Sequence, residues 1–450
     1  MNRPLFDRVR SLLVSASLSV ADPRPRPLML ELGLALLCAP KPKTVTSALA
    51  WLGQTQTDWS ADYRLFSQAH WETQAPFLPV LNQALAHPAA QTPRVYFGQD
   101  DTLLRKTSKK TPGVAYARDP LGPPFQVNLV LGQRFVQTSL LLQPGGGAHP
   151  WRALPVSFTH APSPKIPKRA SPQDQATLKE VRKKHRLSVV AVEHLRWCRQ
   201  QLDHQPGGTE RILMDVVDGG YTNRTFFAGL PERTEAIGRI RKDAKFRAFL
   251  PVGQRRGARK YGDDLPTPLE YLQDASLPWQ SCDVFVAGKV RPLQFKEITP
   301  LCWPKVTGPR PVRLLVIRPA GYRLRKGSKL LYREPAFLIT TDLTTPAQEL
   351  IAAYLARWEV EVNFRDEKTL LGVGQAQVRN PQSVNRTPAF LVACYSMLLW
   401  SSISLFGDRR TEAFATLPRW RRDEPVRPST RDLILLLQQQ AAPFMNQMRN

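Results

Sequence analysis

The residues best suited to chemistry lie between positions 354 and 368, in the segment YLARWEVEVNFRDEK. Tyr354, Arg357, Glu361, Arg365 and Lys368 are spaced so that, at about 100° per residue, they form one stripe along a helix. A carboxylate among cations suits a site that binds both a metal ion and a phosphate group. Ion pairs such as Glu361–Arg365 on a solvated helix face would give the same pattern. The helix alone leaves both interpretations open.

Further acidic residues follow two stretches that look like buried strands. RVYFGQDDT is predicted to be a strand whose last residues are Asp100 and Asp101, and ILMDVVDGGY a strand that ends at Asp218. Carboxylates at neighbouring strand ends can converge with a third on a helix, and their hard oxygen atoms suit Mg²⁺ or Mn²⁺. Two such ions about 3.5–4 Å apart can activate a nucleophile and stabilise the leaving oxygen of a phosphodiester. These acids together with the helix favour metal-dependent phosphoryl transfer.

A single helix is expected to carry the polar stripe. Thr345 is its predicted N-cap, Pro346 occupies the first helical position, and Gln348 completes a capping-box pattern. Because the next glycine is at position 372, the helix is predicted to run from about residue 346 to about residue 370. Its core-facing stripe is predicted to contain Ile351, Leu355, Trp358, Val362 and Thr369.

The pattern of apolar residues, turns and prolines predicts an α/β protein with several parts. A basic segment is expected to become a helix near Ser171 that runs to about Leu202, and a helix from Ser429 carries an S-x-x-D cap. That last helix is expected either to dimerise or to pack within the chain. The predicted parts are a helical N-terminal domain (1–90), which is either a DNA-binding unit or a plain helical bundle, a first core segment (91–245), a β-rich insertion (246–343), a second core segment (344–406) and a C-terminal helical tail (407–450).

Charge points to a polyanionic partner. The chain of 450 residues has 63 Lys and Arg against 37 Asp and Glu, which gives a net charge of +26. Nucleic acid is the usual partner of such a surplus, and no lipidation motif supports membrane attraction. Residues 388–406 are apolar enough to resemble a membrane span, but the segment is barely long enough and contains Ser and Tyr, so we expect a buried core helix.

The cysteines and the N-terminus predict a cytoplasmic protein. The five cysteines, at positions 38, 198, 282, 302 and 394, are odd in number and form no CxxC pair. They are therefore expected to be reduced thiols, neither disulfides nor zinc ligands. The first residues carry charges within their apolar stretch and have no convincing cleavage site, so no signal peptide is predicted.

Several motifs together resemble one family. Tyr354, Arg357, Glu361 and Lys368 reproduce the Y-x₂-R-x₃-E-x₆-K pattern of bacterial insertion-sequence transposases of the DDE class. QDDT followed by KKTPGV resembles the segment around that group's first aspartate, and VVDGGYTN followed by IGRIRKDAKF resembles the segment around the second. A β-rich insertion before the glutamate is also similar to these enzymes. The resemblance covers roughly residues 90 to 405.

The resemblance implies a fold and a set of site residues. It implies an RNase H-like core, a mixed β-sheet flanked by helices, with Asp100, Asp218 and Glu361 as catalytic residues and metal ligands. Asp101 stays open as an alternative first acid. It also implies two Mg²⁺ ions, for which Mn²⁺ can substitute, and DNA contacts by Tyr354, Arg357, Arg365 and Lys368.

The resemblance also implies partners and a reaction. Double-stranded DNA, as element ends and as target, would be bound by a homodimer assembled on paired ends in the bacterial nucleoid, away from any membrane. Cleavage would free a 3′-hydroxyl that joins target DNA, after a DNA hairpin in which Trp279 or Trp303 stacks on an extruded base; core packing is the competing use of both tryptophans. Two other functions remain open: a domesticated, non-catalytic DNA-binding protein and a divalent-metal nuclease that cuts without joining.

Overall fold

The computed structural model describes residues 3–119, 122, 126–146, 150–164, 167, 169–255, 260–286, 289–319, 321–323, 325, 327–421 and 425–449. The chain divides into two compact units. Unit 1 comprises Met1–Gln91, Asp100–Val190 and Glu359–Asn450, and unit 2 comprises Thr92–Gln99 and Ala191–Trp358.

Helices account for most of the N-terminal and C-terminal parts of the described chain. Short 3₁₀ helices lie at Ala75–Phe77, Pro88–Ala90, Gly208–Glu210 and Val252–Gln254. The α-helices are α1 (Pro4–Ser17), α2 (Arg26–Cys38), α3 (Val45–Leu52), α4 (Ser60–Ser67), α5 (Leu78–Leu85), α6 (Pro172–Lys184), α7 (Leu187–Asp203), α8 (Arg224–Gly229), α9 (Pro268–Gln273), α10 (Ala347–Ala356), α11 (Trp358–Thr369), α12 (Pro381–Phe406) and α13 (Thr430–Arg449).

Strands fill the middle of the chain and form a mixed sheet. The order of hydrogen-bonded strands is β2-β3-β1-β5-β6-β14-β11-β10-β7-β8, with β4 on β3 and β9 on β10, while β12 pairs with β13. The strands are β1 (Arg94–Arg105), β2 (Ala115–Arg118), β3 (Leu129–Leu142), β4 (Arg152–His160), β5 (Ile212–Val217), β6 (Thr234–Arg239), β7 (Phe246–Ala248), β8 (Asp264–Leu265), β9 (Gln280–Val286), β10 (Lys289–Cys302), β11 (Pro311–Ile317), β12 (Gly321–Tyr322), β13 (Leu331–Tyr332) and β14 (Ala336–Thr340).

Unit 1 is built around α12. This helix packs against β4 and against α1 and α2, and nearly every side chain from Thr387 to Ile403 is buried. It is the one helix among the described residues that is long and apolar enough to cross a membrane, and 83% of its most apolar window is buried within the fold. The expectation of a buried core helix over residues 388–406 is therefore confirmed. The C-terminal helix α13 packs on α1 within the same unit, with Leu433 and Leu437 fully buried.

Unit 2 contains the parallel part of the sheet and its extension. The first half of β1 pairs in parallel with β5, in a register that places Gln99 opposite Val217, and β5 pairs in parallel with β6. Strand β14 then pairs antiparallel with β6 and with β11, and β10 continues the sheet beyond β11. The described part of the segment 246–343 contains the strands β7 to β14.

The mixed sheet and its flanking helices form an RNase H-like α/β fold, which confirms the predicted fold class. The order β4-β3-β1-β5-β6 combines an antiparallel β3–β4 pair with the parallel β1–β5 and β5–β6 pairs. Residues 94–99 of β1 belong to unit 2, and residues 100–105 belong to unit 1.

The predicted boundaries of β1 and of the helix that begins near Ser171 are wrong. The strand predicted to end at Asp100 and Asp101 continues to Arg105, because Leu103 and Leu104 are buried and extend the strand past the two acids. The helix predicted from Ser171 to Leu202 is two helices, α6 and α7, separated at residues 185–186. Ser171 caps α6 as predicted, since its hydroxyl accepts a hydrogen bond from the Asp174 backbone N–H at 3.1 Å.

The helix predicted from 346 to 370 is also two helices, α10 and α11, separated at Arg357. The Arg357 N–H donates to the carbonyl of Tyr354, three residues earlier, in a tightened turn. The predicted capping box is absent: Pro346 is the N-cap without a side-chain cap, and the Thr345 hydroxyl instead donates to Asp342. Asp342 also accepts from two backbone N–H groups before α10, which competes successfully with the predicted cap.

The predicted core stripe of this helix is correct at Ile351, half-buried at Leu355 and Val362, and wrong at Trp358 and Thr369. Trp358 is 62% exposed and Thr369 is exposed, whereas α11 buries Val360, Phe364 and three polar residues, Asn363, Asp366 and Glu367. The buried face of α11 is set by polar partners distant in sequence, which apolar periodicity does not reveal.

Candidate active site

The two acids on β1 have different surroundings. One Asp100 carboxylate oxygen accepts a hydrogen bond from the Asp101 backbone N–H at 2.8 Å. The Asp101 carboxylate lies 3.0 Å from Nε of Arg134, which is on the neighbouring strand β3. Because successive side chains alternate across a strand, the two carboxylates leave β1 on opposite faces. The structure therefore pairs Asp101 with an arginine of the same unit.

Lys368 on α11 belongs to the neighbourhood of Asp101. The pKa of Lys368 is lowered, chiefly because surrounding protein displaces water from its ammonium group. The negative charges of Glu367 and Asp101 act in the opposite direction, and the positive charge of Arg105 adds to the lowering. Arg105 in turn contacts Asp119 at 2.7 Å. Within unit 1, Asp101 is thus accompanied by two cations, Arg134 and Lys368.

Asp218 follows directly after β5, as the sequence predicts. Its carbonyl accepts a hydrogen bond from the N–H of Tyr221, which closes the Asp218–Gly219–Gly220 turn, and Asn223 then caps α8 by accepting from the N–H of Phe226. Strand β6 passes close to this turn at Gly238, where a Cβ atom would lie 2.4 Å from the Thr222 methyl group. The glycine therefore allows the strand and the turn to approach each other.

Asp218, Tyr354 and Arg357 are brought together within unit 2. Displacement of water raises the pKa of Tyr354, and the charge of Asp218 adds to this effect. The positive charges of Arg357 and Arg239 and a hydrogen bond from Arg357 act in the opposite direction. The tyrosine hydroxyl therefore interacts electrostatically with one carboxylate and two guanidinium groups. Tyr354 and Arg357 belong to the predicted stripe, and Arg239, at the end of β6, does not.

Gln99 and Asp215 form a buried pair. Gln99 directly precedes Asp100 in the sequence, and Asp215 lies three residues before Asp218. The Gln99 amide donates to the Asp215 carboxyl at 3.0 Å and to the carbonyl of Ala191 at 3.3 Å. Complete burial raises the pKa of Asp215 well above its ordinary value, and the hydrogen bond from Gln99 acts in the opposite direction. The pair connects the two strands that carry the candidate acids. Sequence analysis missed it, although an aspartate inside the apolar run ILMDVV is a visible signal.

Helix α11 is held firmly on the side away from its cationic stripe. Asn363 donates to the carbonyl of Ala153 on β4 at 3.0 Å and accepts from the Tyr395 hydroxyl of α12 at 3.3 Å. Thr430 donates to the carboxylate of Asp366 at 2.6 Å. Glu361 itself is half-buried, and Arg365 pairs with the adjacent Asp366 at 2.9 Å.

A further contact to α11 comes from the segment 427–430, which we call the C-terminal strap. Arg427 contacts the Glu359 carboxylate at 2.7 Å and donates to the carbonyl of Trp151. The strap is anchored in turn by the buried Arg152, which donates to the carbonyl of Pro428 at 3.2 Å and pairs with Asp408 at 2.6 Å. Through Arg427 and Thr430, the strap contacts Glu359 and Asp366 of α11, which lie on either side of Glu361 in the sequence.

Glu367 is the fully buried acid of α11. Removal from water raises the pKa of Glu367 to about 8, while a hydrogen bond from Gln137 and the charge of Lys368 act in the opposite direction. One of its carboxyl oxygens has no hydrogen-bond partner among the described residues. Burial therefore favours the protonated form of Glu367 in the folded chain.

A basic cleft of about 970 Å³ opens in unit 2 beside the turn that follows Asp218. Its wall contains Trp303 and Phe337 and far more cations than acids. Trp303 also packs against Phe227 and Phe246. The cationic groups of Lys296 and Arg318 lie 4.6 and 5.5 Å from the ring centre of Trp279. The cations of the cleft are Arg239, Arg241, Lys242, Lys245 and Lys305.

The candidate metal ligands are all carboxylates, the donor type that Mg²⁺ and Mn²⁺ prefer. Asp100 and Glu361 belong to unit 1, and Asp218 belongs to unit 2. In the part of the chain that the structure describes, no three His, Cys, Asp or Glu side chains are close enough to hold one metal ion. The shared metal site stays a prediction. All five cysteines are free thiols.

Comparison with known families gives one match. A family model described as DDE superfamily endonuclease matches residues 16–299. The matched region contains Asp100 and Asp218 and ends before the α10–α11 segment. No curated protein matches the chain.

Proposed function

The chain belongs to the DDE superfamily of endonucleases, and from that membership we propose that it is a transposase that cuts DNA at the ends of an insertion sequence and joins the freed 3′-hydroxyls to target DNA. The proposal rests on the pattern Tyr354, Arg357, Glu361 and Lys368, which extends from α10 through the residue between the two helices to α11 in a chain of this superfamily. A nuclease that only cuts does not need such an array, whereas a transposase must hold an end through several steps.

Asp100, Asp218 and Glu361 are the proposed catalytic acids. The nearness of Asp218 to Tyr354 and Arg357 supports the second of them, because a carboxylate and phosphate-binding groups are needed at the same place. The ion pair between Asp101 and Arg134 favours Asp100 as the first, since Asp101 already faces a cation. Asp101 remains the alternative.

DDE endonuclease domains generally use divalent metal ions, and a donor set made only of carboxylates fits two Mg²⁺ ions or their Mn²⁺ substitutes. When bound, such ions supply an activated nucleophile and neutralise charge on the phosphodiester. The side chains do the rest. Arg357 holds a phosphate through two N–H groups, Lys368 acts as a point charge, and Tyr354 and Arg365 contribute further backbone contacts.

The proposed reaction proceeds from the cut strand to joining. A freed 3′-hydroxyl attacks a phosphodiester on the opposite strand, which forms a hairpin and releases the flanking DNA. Water then opens the hairpin and frees the same 3′-hydroxyl, which attacks a phosphodiester of target DNA and displaces a 3′-hydroxyl of the target strand. Hairpin formation requires an extruded base. Trp303 is the better placed of the two tryptophans to stack on it, because it lines the basic cleft beside Asp218, although it also packs on Phe227 and Phe246. Assembly on paired ends as a dimer, in a bacterial cytoplasm, completes the proposal.

The test is an assay of cutting and joining with the full-length chain. A labelled duplex that carries one element end, taken from the inverted repeats flanking the reading frame, is incubated with Mg²⁺ and an unlabelled target duplex. We expect strands with a free 3′-hydroxyl at the element boundary and labelled products joined to the target. Cutting without joined products would indicate the divalent-metal nuclease. A gel shift without cutting would indicate the domesticated DNA-binding protein.

A further inference from the structure

Helix α6 lies outside the candidate site and is almost detached from the core of unit 1. None of its 13 residues is buried. Helices of this length are marginal in water without packing, and α6 has only its Ser171 cap and a shallow row of half-buried residues, Gln175, Leu178 and Val181, on the inner side. A helix kept in this position without a core role suggests that its outer surface has a binding partner.

The outer surface of α6 is cationic. Lys179, Arg182 and Lys183 are exposed and lie three and four residues apart, so they share one face. Lys184 and Arg186 follow at the C-terminal end of the helix, and all five are exposed. In the described part of the chain no ion pair joins any of these five cations to an acid. Their charge is thus available to an external partner.

The composition of this surface indicates which class of partner it can bind. The half-buried Leu178 and Val181 are the only large apolar residues of α6, and the exposed side carries none. An apolar groove of another protein or insertion into a lipid surface would require exposed apolar side chains. A duplex with a charge every ~1.7 Å requires only cations, and the helix is ~20 Å long, enough to follow several phosphates.

We propose that Lys179, Arg182 and Lys183, with Lys184 and Arg186, form a docking ridge for the sugar-phosphate backbone of double-stranded DNA, separate from the catalytic residues. The proposal rests on the proposed function in so far as DNA is the substrate. The ridge reads no sequence, because it offers cations to the backbone and no groups shaped for base edges. Its role is to add affinity and to orient a duplex that the catalytic residues contact elsewhere.

The experiment measures duplex binding as a function of salt. The variant Lys179→Gln/Arg182→Gln/Lys183→Gln removes three charges from exposed positions, so it is expected to fold and to melt like the wild type. A control variant, Lys41→Gln/Arg419→Gln/Arg421→Gln, removes three exposed charges elsewhere and matches the change in net charge. The slope of log K against log salt should fall by up to ~0.9 for each lost phosphate contact in the ridge variant, and by clearly less in the control.

Two duplexes of equal length, one with an element end and one without, distinguish the DNA that the ridge binds. A reduced slope on both indicates general or target DNA, and a reduced slope on the element duplex alone indicates end DNA; either result supports the ridge. Equal slopes for the ridge variant and its control on both duplexes would overturn it. Because the readout is binding, a wild type that binds but does not cut refutes the proposed transposase activity without affecting this result.

Discussion

Helices α6 and α11 are both short and rich in charged residues, yet α11 is fixed by buried contacts and α6 is exposed. Helix α11 buries Asn363, Asp366 and Glu367, and the first two of these hold partners on β4, on α12 and in the C-terminal strap. Helix α6 buries no residue and exposes its cations. Charged composition alone therefore does not distinguish a helix with a fixed position from one that lies on the surface.

The difference matches what each helix is proposed to do. A displacement of about 1 Å at a reacting centre can cost ~100-fold in rate, so a helix that carries a catalytic carboxylate must be fixed by specific contacts. A phosphate backbone presents the same charge at regular intervals, so a helix that only binds it tolerates small shifts. Substitutions on α11 should therefore reduce the rate of cleavage, and those on α6 should reduce affinity.

The largest effect is expected at Glu361. Glu361→Gln keeps the shape of the side chain and removes the charge that a metal ligand needs, so Mg²⁺-dependent cleavage should fall by at least ~100-fold. Binding of the element end in a gel shift should be unchanged. Glu193→Gln, at an exposed position on α7, is the matched control and should cleave normally. Cleavage by the Glu361 variant at the wild-type rate would remove this residue from the active site.

A slightly smaller loss is expected at the cations of the stripe. Arg357→Ala and Lys368→Ala each remove a charged phosphate contact, so the scissile phosphate should be misplaced and cleavage should fall by ~10- to 100-fold. Replacing Mg²⁺ by Mn²⁺ should not restore the rate, because the lost group is not a metal ligand. Normal binding and cleavage in both variants would mean that the stripe is only a solvated helix face.

A moderate effect is expected from the C-terminal strap. Arg427→Glu or Glu359→Arg places like charges together at a contact of 2.7 Å, which should loosen α11 and lower kcat by ~10-fold, with little change in KM for DNA. The double variant restores opposite charges and should recover most of the rate. It cannot recover all of it, since Arg427 also donates to the carbonyl of Trp151. A double variant as slow as the single variants would show that the strap does not position α11.

The sequence predicted the elements better than it predicted their contacts. The apolar run 212–217 followed by Asp218 is a local signal, and the structure has β5 and its turn there. The buried polar face of α11 was missed because its partners, such as Ala153 for Asn363, are 210 residues away along the chain. Thr345 was wrongly predicted to cap a helix for the same reason. Its hydroxyl group donates to Asp342, and the Asp342 carboxylate is held by the distant Arg94 at 2.8 Å. Which polar residue is buried is decided by tertiary partners.

The smallest expected effect concerns stability and the one ionisable group that α11 buries completely. The pKa of Glu367 is raised from 4.5 to about 8 in the folded chain, so the folded state retains a proton that the unfolded state has lost between those values. Stability from this group is full below pH 4.5 and declines as pH rises toward 8, by at most about 1.4 kcal/mol per pH unit. Glu367→Gln has no proton to lose, so its free energy of unfolding should fall less than that of the wild type between pH 5 and 8.

Urea unfolding at both pH values gives the two slopes, and Glu180→Gln on the exposed α6 serves as the control, with the wild-type slope expected. Identical slopes for the Glu367 variant and the wild type would mean that this carboxyl group is ionised in the fold, and that α11 accommodates a buried charge.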